Sequence, residues 1–358
     1  MYELNNSTQF DNTSDKTLDN HDFQCNGSWP STRAQLFAYL FIMVSSLTGN
    51  VLIVAIFFRD KTLKTTVNYF IVNMCVSDLI FPIFFLPTRI TLNEHKVSLH
   101  VVGLSPALLC KVIWISFGVS TLVSWLSMTM LAADRFRAII YPMKPALFSK
   151  KKCQITIAVI WMFSIAILVY YTTDVLRVNT SKGSCNDFKW NSTSLSFLWI
   201  FLVLVCLSVA VVTLFYSRVA IFLHRQKNSL HLASEVVKKR AKRNRKIIAM
   251  LMIIVILFYV AWTPYCFTMF LIFVFHVFLP CFYVWFTSFF LIMMYPVINP
   301  IVYFVFNEKY RQGLKQILCC LWLCMKGTAS NGRQENQVQT VGQVNQAVDN
   351  VELYKQNK

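Results

Sequence analysis

Long apolar runs alternate with short charged connections along this chain. Stretches 34–58, 112–133, 153–173, 190–217, 247–275 and 277–307 contain no Asp, Glu, Lys, Arg or His, and 67–88 is broken only by Asp78. About 20 apolar residues in a helix cross the ~30 Å hydrocarbon core of a bilayer, so each run is long enough to span. Seven spans put the two ends of the chain on opposite sides of the membrane. Residues 1–33 are rich in Asn, Asp, Ser and Thr, with little to bury, and read as an unstructured tail. They lack the apolar core of a signal peptide, so the first run must serve as both insertion signal and anchor. After the last span, 307–320 sets apolar positions three or four apart with Lys309, Arg311 and Lys315 between them. That pattern predicts an amphipathic helix on the membrane surface. The Gln- and Asn-rich segment 321–358 reads as a second disordered tail. The expected architecture is an all-α membrane protein: a tail over 1–33, a seven-helix bundle over 34–306, a surface helix over 307–320, and a tail over 321–358.

Composition agrees, and charge adds an orientation. Only 14% of residues are charged and 56% are hydrophobic, against roughly 25% charged in soluble domains. Sequons for N-glycosylation fall at Asn5, Asn6, Asn12, Asn26, Asn179 and Asn191, all in the first tail or between spans four and five, which marks those segments as extracellular. With that orientation 26 of the 34 Lys and Arg lie on the inner side, the bias expected of a multi-pass protein with a cytoplasmic C-terminus. The net charge of +18 is thereby a membrane signature, and nucleic acid is excluded as a partner. Of eleven cysteines, Cys25, Cys110, Cys185 and Cys281 lie on the oxidising side, where disulfides persist. Cys319, Cys320 and Cys324 cluster beyond the last span, where S-acylation is expected.

Two features carry chemistry. Asp134 and Arg135 close the third span, where the aspartate can pair with the arginine or release it; flanking cations also simply stop spans. Asp78 is the only ionisable residue well inside any span, and a charge there is costly and by default functional. Asn50, midway along span one, needs a partner on another helix and should face the bundle. Pro82, Pro87, Pro264 and Pro300 each remove a helical hydrogen bond and permit a kink.

Taken in order, these residues resemble the rhodopsin-like (class A) G-protein-coupled receptors over essentially all of 34–320. The resemblance rests on Gly49-Asn50, Asn73 with Ser77-Asp78-Leu79, Cys110, Asp134-Arg135, Trp161, Tyr216, Phe258 with Trp262 and Pro264, and Asn299-Pro300 with Tyr303. It implies a cell-surface receptor in the plasma membrane that binds an extracellular ligand and activates a heterotrimeric G protein by outward movement of the sixth helix, with arrestin and a receptor kinase as further partners. It implies a bridge between Cys110 and Cys185, and leaves Cys25 and Cys281 as candidates for a second. Asp78, Ser124 and Asn299 match a sodium pocket beneath the ligand site, although Tyr295 replaces a smaller polar residue there. Trp262 matches the base of the ligand cavity, and Tyr303 and Tyr216 match residues that bridge near Arg135 in the active state.

Departures from the pattern matter as much. Phe136 replaces the usual Tyr after Asp-Arg. Asn244 stands where an acidic residue often pairs with Arg135, which predicts a weaker resting lock and measurable ligand-independent signalling. Span five has Ser208 at its usual proline, and Trp125 replaces the facing isoleucine, where it can fill the space beside Phe258. Phe117 occupies the position of the aspartate that amine receptors use, so a biogenic amine is not expected. Met293 stands where opsins carry their Schiff-base lysine, so retinal is excluded and no cofactor is expected beyond a sodium ion. A glycosylated tail and a long outer segment over 89–109 favour a peptide, contacting residues such as Phe117, Arg177, Trp262 and Tyr265, with Arg89, Lys111 and Asp174 near the rim. A lipid or non-amine small molecule is the alternative ligand. The rival from another class is a transporter or channel, which usually shows repeats and several intramembrane polar sites; one carboxylate and no repeat are found here. Nothing in the spans suggests an enzyme.

Overall fold

The computed structural model describes residues 32–95, 106–141, 143–179, 184–188, 192–229, 235–275, 282–320 and 322. Both tails lie outside these, and with them Asn5, Asn6, Asn12, Asn26, Cys25 and Cys324; Asn191 and Cys281 are also outside. Seven helices run in order: α1 (Thr32–Arg59), α2 (Thr66–His95), α3 (Pro106–Ile140), α4 (Lys150–Val175), α5 (Ser192–Ser229), α6 (Glu235–Phe275) and α7 (Phe282–Phe306). Each contains a segment long and apolar enough to cross a membrane. A short helix, α8, follows over 308–320.

In hydrocarbon every backbone N–H and C=O must be satisfied within the segment, which is why the apolar runs are helices. Pro82 and Pro87 in α2, Pro264 in α6 and Pro296 and Pro300 in α7 all sit inside continuous helices. The helices also overrun the apolar runs. α2 continues to His95 and α3 begins at Pro106, so the outer segment expected over 89–109 is helical at both ends, over 89–95 and 106–109. Between α4 and α5 lies a feature that periodicity did not reveal, an antiparallel hairpin of β1 (Leu176–Asn179) and β2 (Ser184–Phe188). Its register pairs Leu176 with Phe188 and Arg177 with Asp187, with an irregularity before Asn179, and β1 packs against α3 and α4.

Lipid tails are as apolar as leucine, so membrane helices associate through close packing and interhelical hydrogen bonds. Both are present. A Cβ on Gly49 would lie 2.9 Å from Pro300 Cβ, which measures how closely α1 approaches α7. Asn50 Nδ2 donates to Ser46 O at 2.9 Å and across to Pro296 O at 3.0 Å, so Asn50 faces the bundle as expected. Asn73 links three helices, donating to Ser127 Oγ of α3 and accepting from Trp161 Nε1 of α4, each at 2.8 Å. α8 is amphipathic as predicted. Tyr310 is fully buried and Lys309, Arg311 and Lys315 are exposed.

Candidate functional site

The half of the bundle nearer Cys110 holds a cluster of rings. α2 presents Phe81 and Phe85 four residues apart, α3 presents Trp114 and Phe117 three apart, and α6 presents Trp262 and Tyr265 three apart, which puts each pair on one helix face. Phe117 is the hub. Its ring centroid lies 5.2 Å from Phe85, 5.7 Å from Phe81, 5.7 Å from Phe289 and 6.2 Å from Trp262. Tyr265 meets Trp262 at 6.1 Å and Phe289 at 6.4 Å. These separations fall within the favourable range for aromatic pairs. Three of the residues expected around a ligand, Phe117, Trp262 and Tyr265, are therefore brought together. Arg177 sits on β1 opposite Asp187, but its side chain, like those of Arg89 and Asp174, lies outside the described residues. Cys110 is buried and disulfide-bonded; Cys185 is on β2, with its side chain outside the described residues.

Beneath Trp262 the lining turns polar. A narrow internal cavity is bounded by Asp78, Phe81, Phe117, Ser120, Thr121, Ser124, Phe258, Trp262, Ile292, Tyr295 and Pro296, with room for little more than a water molecule or a bare ion. Asp78 is buried, accepting from Ser124 Oγ at 3.0 Å and from Asn299 Nδ2 at 2.8 Å. Ser77 Oγ extends the chain, 2.8 Å from Ser124 Oγ. The three residues expected to surround an ion thus meet at one point. Tyr295 lines the cavity with its ring, while its hydroxyl donates away from it to Met128 Sδ at 3.3 Å. Among the described residues the buried Asn299 Oδ1 has no hydrogen-bond partner. Oxygen donors and a single carboxylate suit a small hard cation, so the residues present fit sodium.

At the same depth, the side chains at the two altered positions are bonded to each other. Trp125 Nε1 donates to Ser208 Oγ at 2.8 Å, tying α3 to α5. Ser208 Oγ lies 2.9 Å from Val205 O and 3.2 Å from Tyr259 Oη. A serine has one proton to give; with it directed to Val205 O, the Tyr259 hydroxyl donates to Ser208. Three helices meet in this network where the sequence predicted only that Trp125 fills space. Trp125 is buried in the same core cluster as Phe258.

At the opposite end Arg135 is held by its own neighbour. Its Nη2 and Nε lie 2.5 Å and 3.2 Å from Asp134 Oδ2, and Thr66 Oγ1 donates to the same oxygen at 3.3 Å. Phe136 stacks on Phe215 of α5 with centroids 4.8 Å apart. Tyr216 and Tyr303 are buried, and among the described residues the Tyr303 hydroxyl has no hydrogen-bond partner. The structure does not join either tyrosine to Arg135 by a hydrogen bond. The single carboxylate of α6, Glu235, is exposed and pairs with Lys238. Lys246 of α6 instead reaches Glu308 of α8, with Nζ and Oε1 2.6 Å apart. The hydrogen bond and charge of Lys246 hold the Glu308 carboxyl below its ordinary pKa, with Arg311 and Lys242 adding to the effect.

Sequence reasoning singled out Asp78, Asp134 and Arg135 but not Thr66, Tyr259 or the Lys246–Glu308 pair. Thr66 and Tyr259 are ordinary residues at ordinary helical positions, and their partners are 68 and 51 residues away. Cys319 and Cys320 are free and exposed at the C-terminal end of α8.

Comparison with known proteins bears on which family carries these seven spans. The model of the 7 transmembrane receptor (rhodopsin family) matches residues 49–303. Neuropeptide FF receptor 2 of Mus musculus is 27% identical over 78% of this chain and 70% of its own length. The Substance-K receptor of Mus musculus is 27% identical over 80% and 75%, and the RYamide receptor of Drosophila melanogaster 24% over 87% and 70%. The order of motifs, the seven spans and a match over most of the bundle lead to one assignment: the chain belongs to the rhodopsin family of seven-transmembrane receptors.

Proposed function

We propose that this receptor sits in the plasma membrane with its N-terminus outside, binds an extracellular peptide over the Phe117–Trp262–Tyr265 cluster, and activates a heterotrimeric G protein. The observation that carries the reading is the state of Arg135: its guanidinium is bound to Asp134 and, among the described residues, to no side chain of α6. Outward movement of α6 would let Tyr216 and Tyr303 turn toward Arg135 and open a groove for a helix of the G protein. Peptide as the ligand class follows from the relatives, which are receptors for neuropeptide FF, substance K and RYamide by name. The absence of an Asp at Phe117 agrees with it.

Two supports belong to the same reading. Cys110 bonded to Cys185 would hold the hairpin over the mouth of the bundle. Sodium, held by Asp78 with Ser124 and Asn299, would supply a positive charge that stabilises the resting arrangement of α2, α3 and α7, and would couple ion occupancy to ligand affinity. The test is a screen of amidated and free peptides on cells expressing the chain with a promiscuous G protein. A peptide response that Arg135→Ala removes at equal surface expression supports the reading. Solute or ion flux in proteoliposomes, with no peptide response, contradicts it.

A further inference from the structure

Among the described residues no ion pair ties α3 to α6 near Arg135. The base of α6 is fastened elsewhere, by Lys246 to Glu308 at the first residue of α8. The two sides of that contact differ in freedom. α8 is fixed to its neighbours: Tyr310 is fully buried beside Tyr303, with centroids 6.5 Å apart. Lys309 Nζ donates to Thr62 O at 3.1 Å and to Thr62 Oγ1 at 2.7 Å. A Cβ on Gly313 would collide with Ile56 of α1. The base of α6 has a lighter hold, with Arg245 Nη2 donating to Leu223 O of α5 at 2.8 Å. Glu308 also sits at a helix N-terminus, where the dipole favours a carboxylate.

We propose that the Lys246–Glu308 pair is an electrostatic latch that holds the base of α6 against α8 at rest and must open when α6 moves outward. The latch rests on the α6 movement of the proposed function. It supplies the resting restraint that Asn244 does not. Glu308 has its carboxyl pKa lowered, so the stabilisation is present above the ordinary glutamate range and is lost only as pH falls through the depressed value. The latch is therefore closed at neutral pH. Both side chains are about half exposed, at 47% and 57%. Exposed pairs bias an equilibrium by only a few-fold, and salt weakens them. The latch tunes resting output and does not switch it off.

The test measures ligand-independent nucleotide exchange on G protein in membranes, at matched receptor density. Lys246→Glu and Glu308→Lys should each raise exchange about two- to five-fold, and the double reversal should return it close to the parent level. Salt raised to about 0.5 M should increase exchange by the parent but leave Glu308→Gln unchanged, because screening removes only a contact that exists. Reversals without effect, or a double reversal as active as the singles, overturn the latch. Additive losses in the singles and the double would place both residues on the G-protein surface and overturn it equally. An Arg135→Ala arm separates the two levels: exchange that survives it contradicts the receptor mechanism, whereas exchange that it silences, with inert reversals, contradicts the latch alone.

Discussion

Trp125 and Ser208 occupy facing positions where the family pattern has isoleucine and proline, and the hydrogen bond between them supports the proposal that the two departures compensate each other. Without proline the backbone of α5 keeps its helical bonds, and the indole N–H finds the serine hydroxyl 2.8 Å away. Removing a buried hydrogen bond costs about 1 kcal/mol, and interhelical bonds in membranes average nearer 0.6 kcal/mol. Tyr259→Phe, which frees α6 from Ser208, should raise basal nucleotide exchange about three-fold by the lower of those figures; unchanged exchange would leave the network purely structural. Trp125→Ile loses ring volume as well as the bond, and should cost about 2 kcal/mol, seen as a lower melting temperature of detergent-purified receptor. If expression, basal exchange and melting are all unaltered, the compensation is wrong. Asp78 makes a separate prediction. Sodium should raise the melting temperature of the parent and lower its basal exchange, while Asp78→Asn, which keeps the shape but loses the charge, should respond to neither. A sodium response that persists in Asp78→Asn would place the ion elsewhere.

Among the elements, α8 joins surface and core. Its apolar face buries Tyr310 on Tyr303 and brings Gly313 against Ile56 of α1, so its position is coupled to α7 and α1 together. Gly313→Val should displace the helix and lower the melting temperature or surface level. A variant as stable as the parent would mean that α8 is not docked as described. Periodicity was sufficient to locate this helix because Lys309, Arg311 and Lys315 alternate with apolar positions at helical spacing. The spans were legible for an equally simple reason: hydrocarbon tolerates few charges, so their limits are written in ionisable residues. What periodicity missed was polar and local. The hairpin of β1 and β2 is too short to leave an alternating pattern, and α2 and α3 carry on past the limits of the charge-free runs, through Arg89 and Glu94 in α2 and Lys111 in α3.

For the whole molecule, the rings around Phe117 and the Asp78 carboxylate line one cavity, and Arg135 lies further along α3, held by Asp134. Motif order made most of that arrangement readable, since Asp78, Ser124 and Asn299 meet as expected. Partners that lie far apart in sequence, such as Thr66 with Asp134 or Lys246 with Glu308, depend on how helices pack and were not readable. The central claim is that Arg135 is a releasable charge whose partners change when the far end of the bundle is occupied. The measurement closest to it is peptide-stimulated nucleotide exchange by purified receptor and G protein in lipid discs, comparing the parent with Arg135→Ala. The account predicts stimulated exchange in the parent and at least a ten-fold loss in the variant, about 1.4 kcal/mol of coupling. Full stimulation by the folded variant would contradict it.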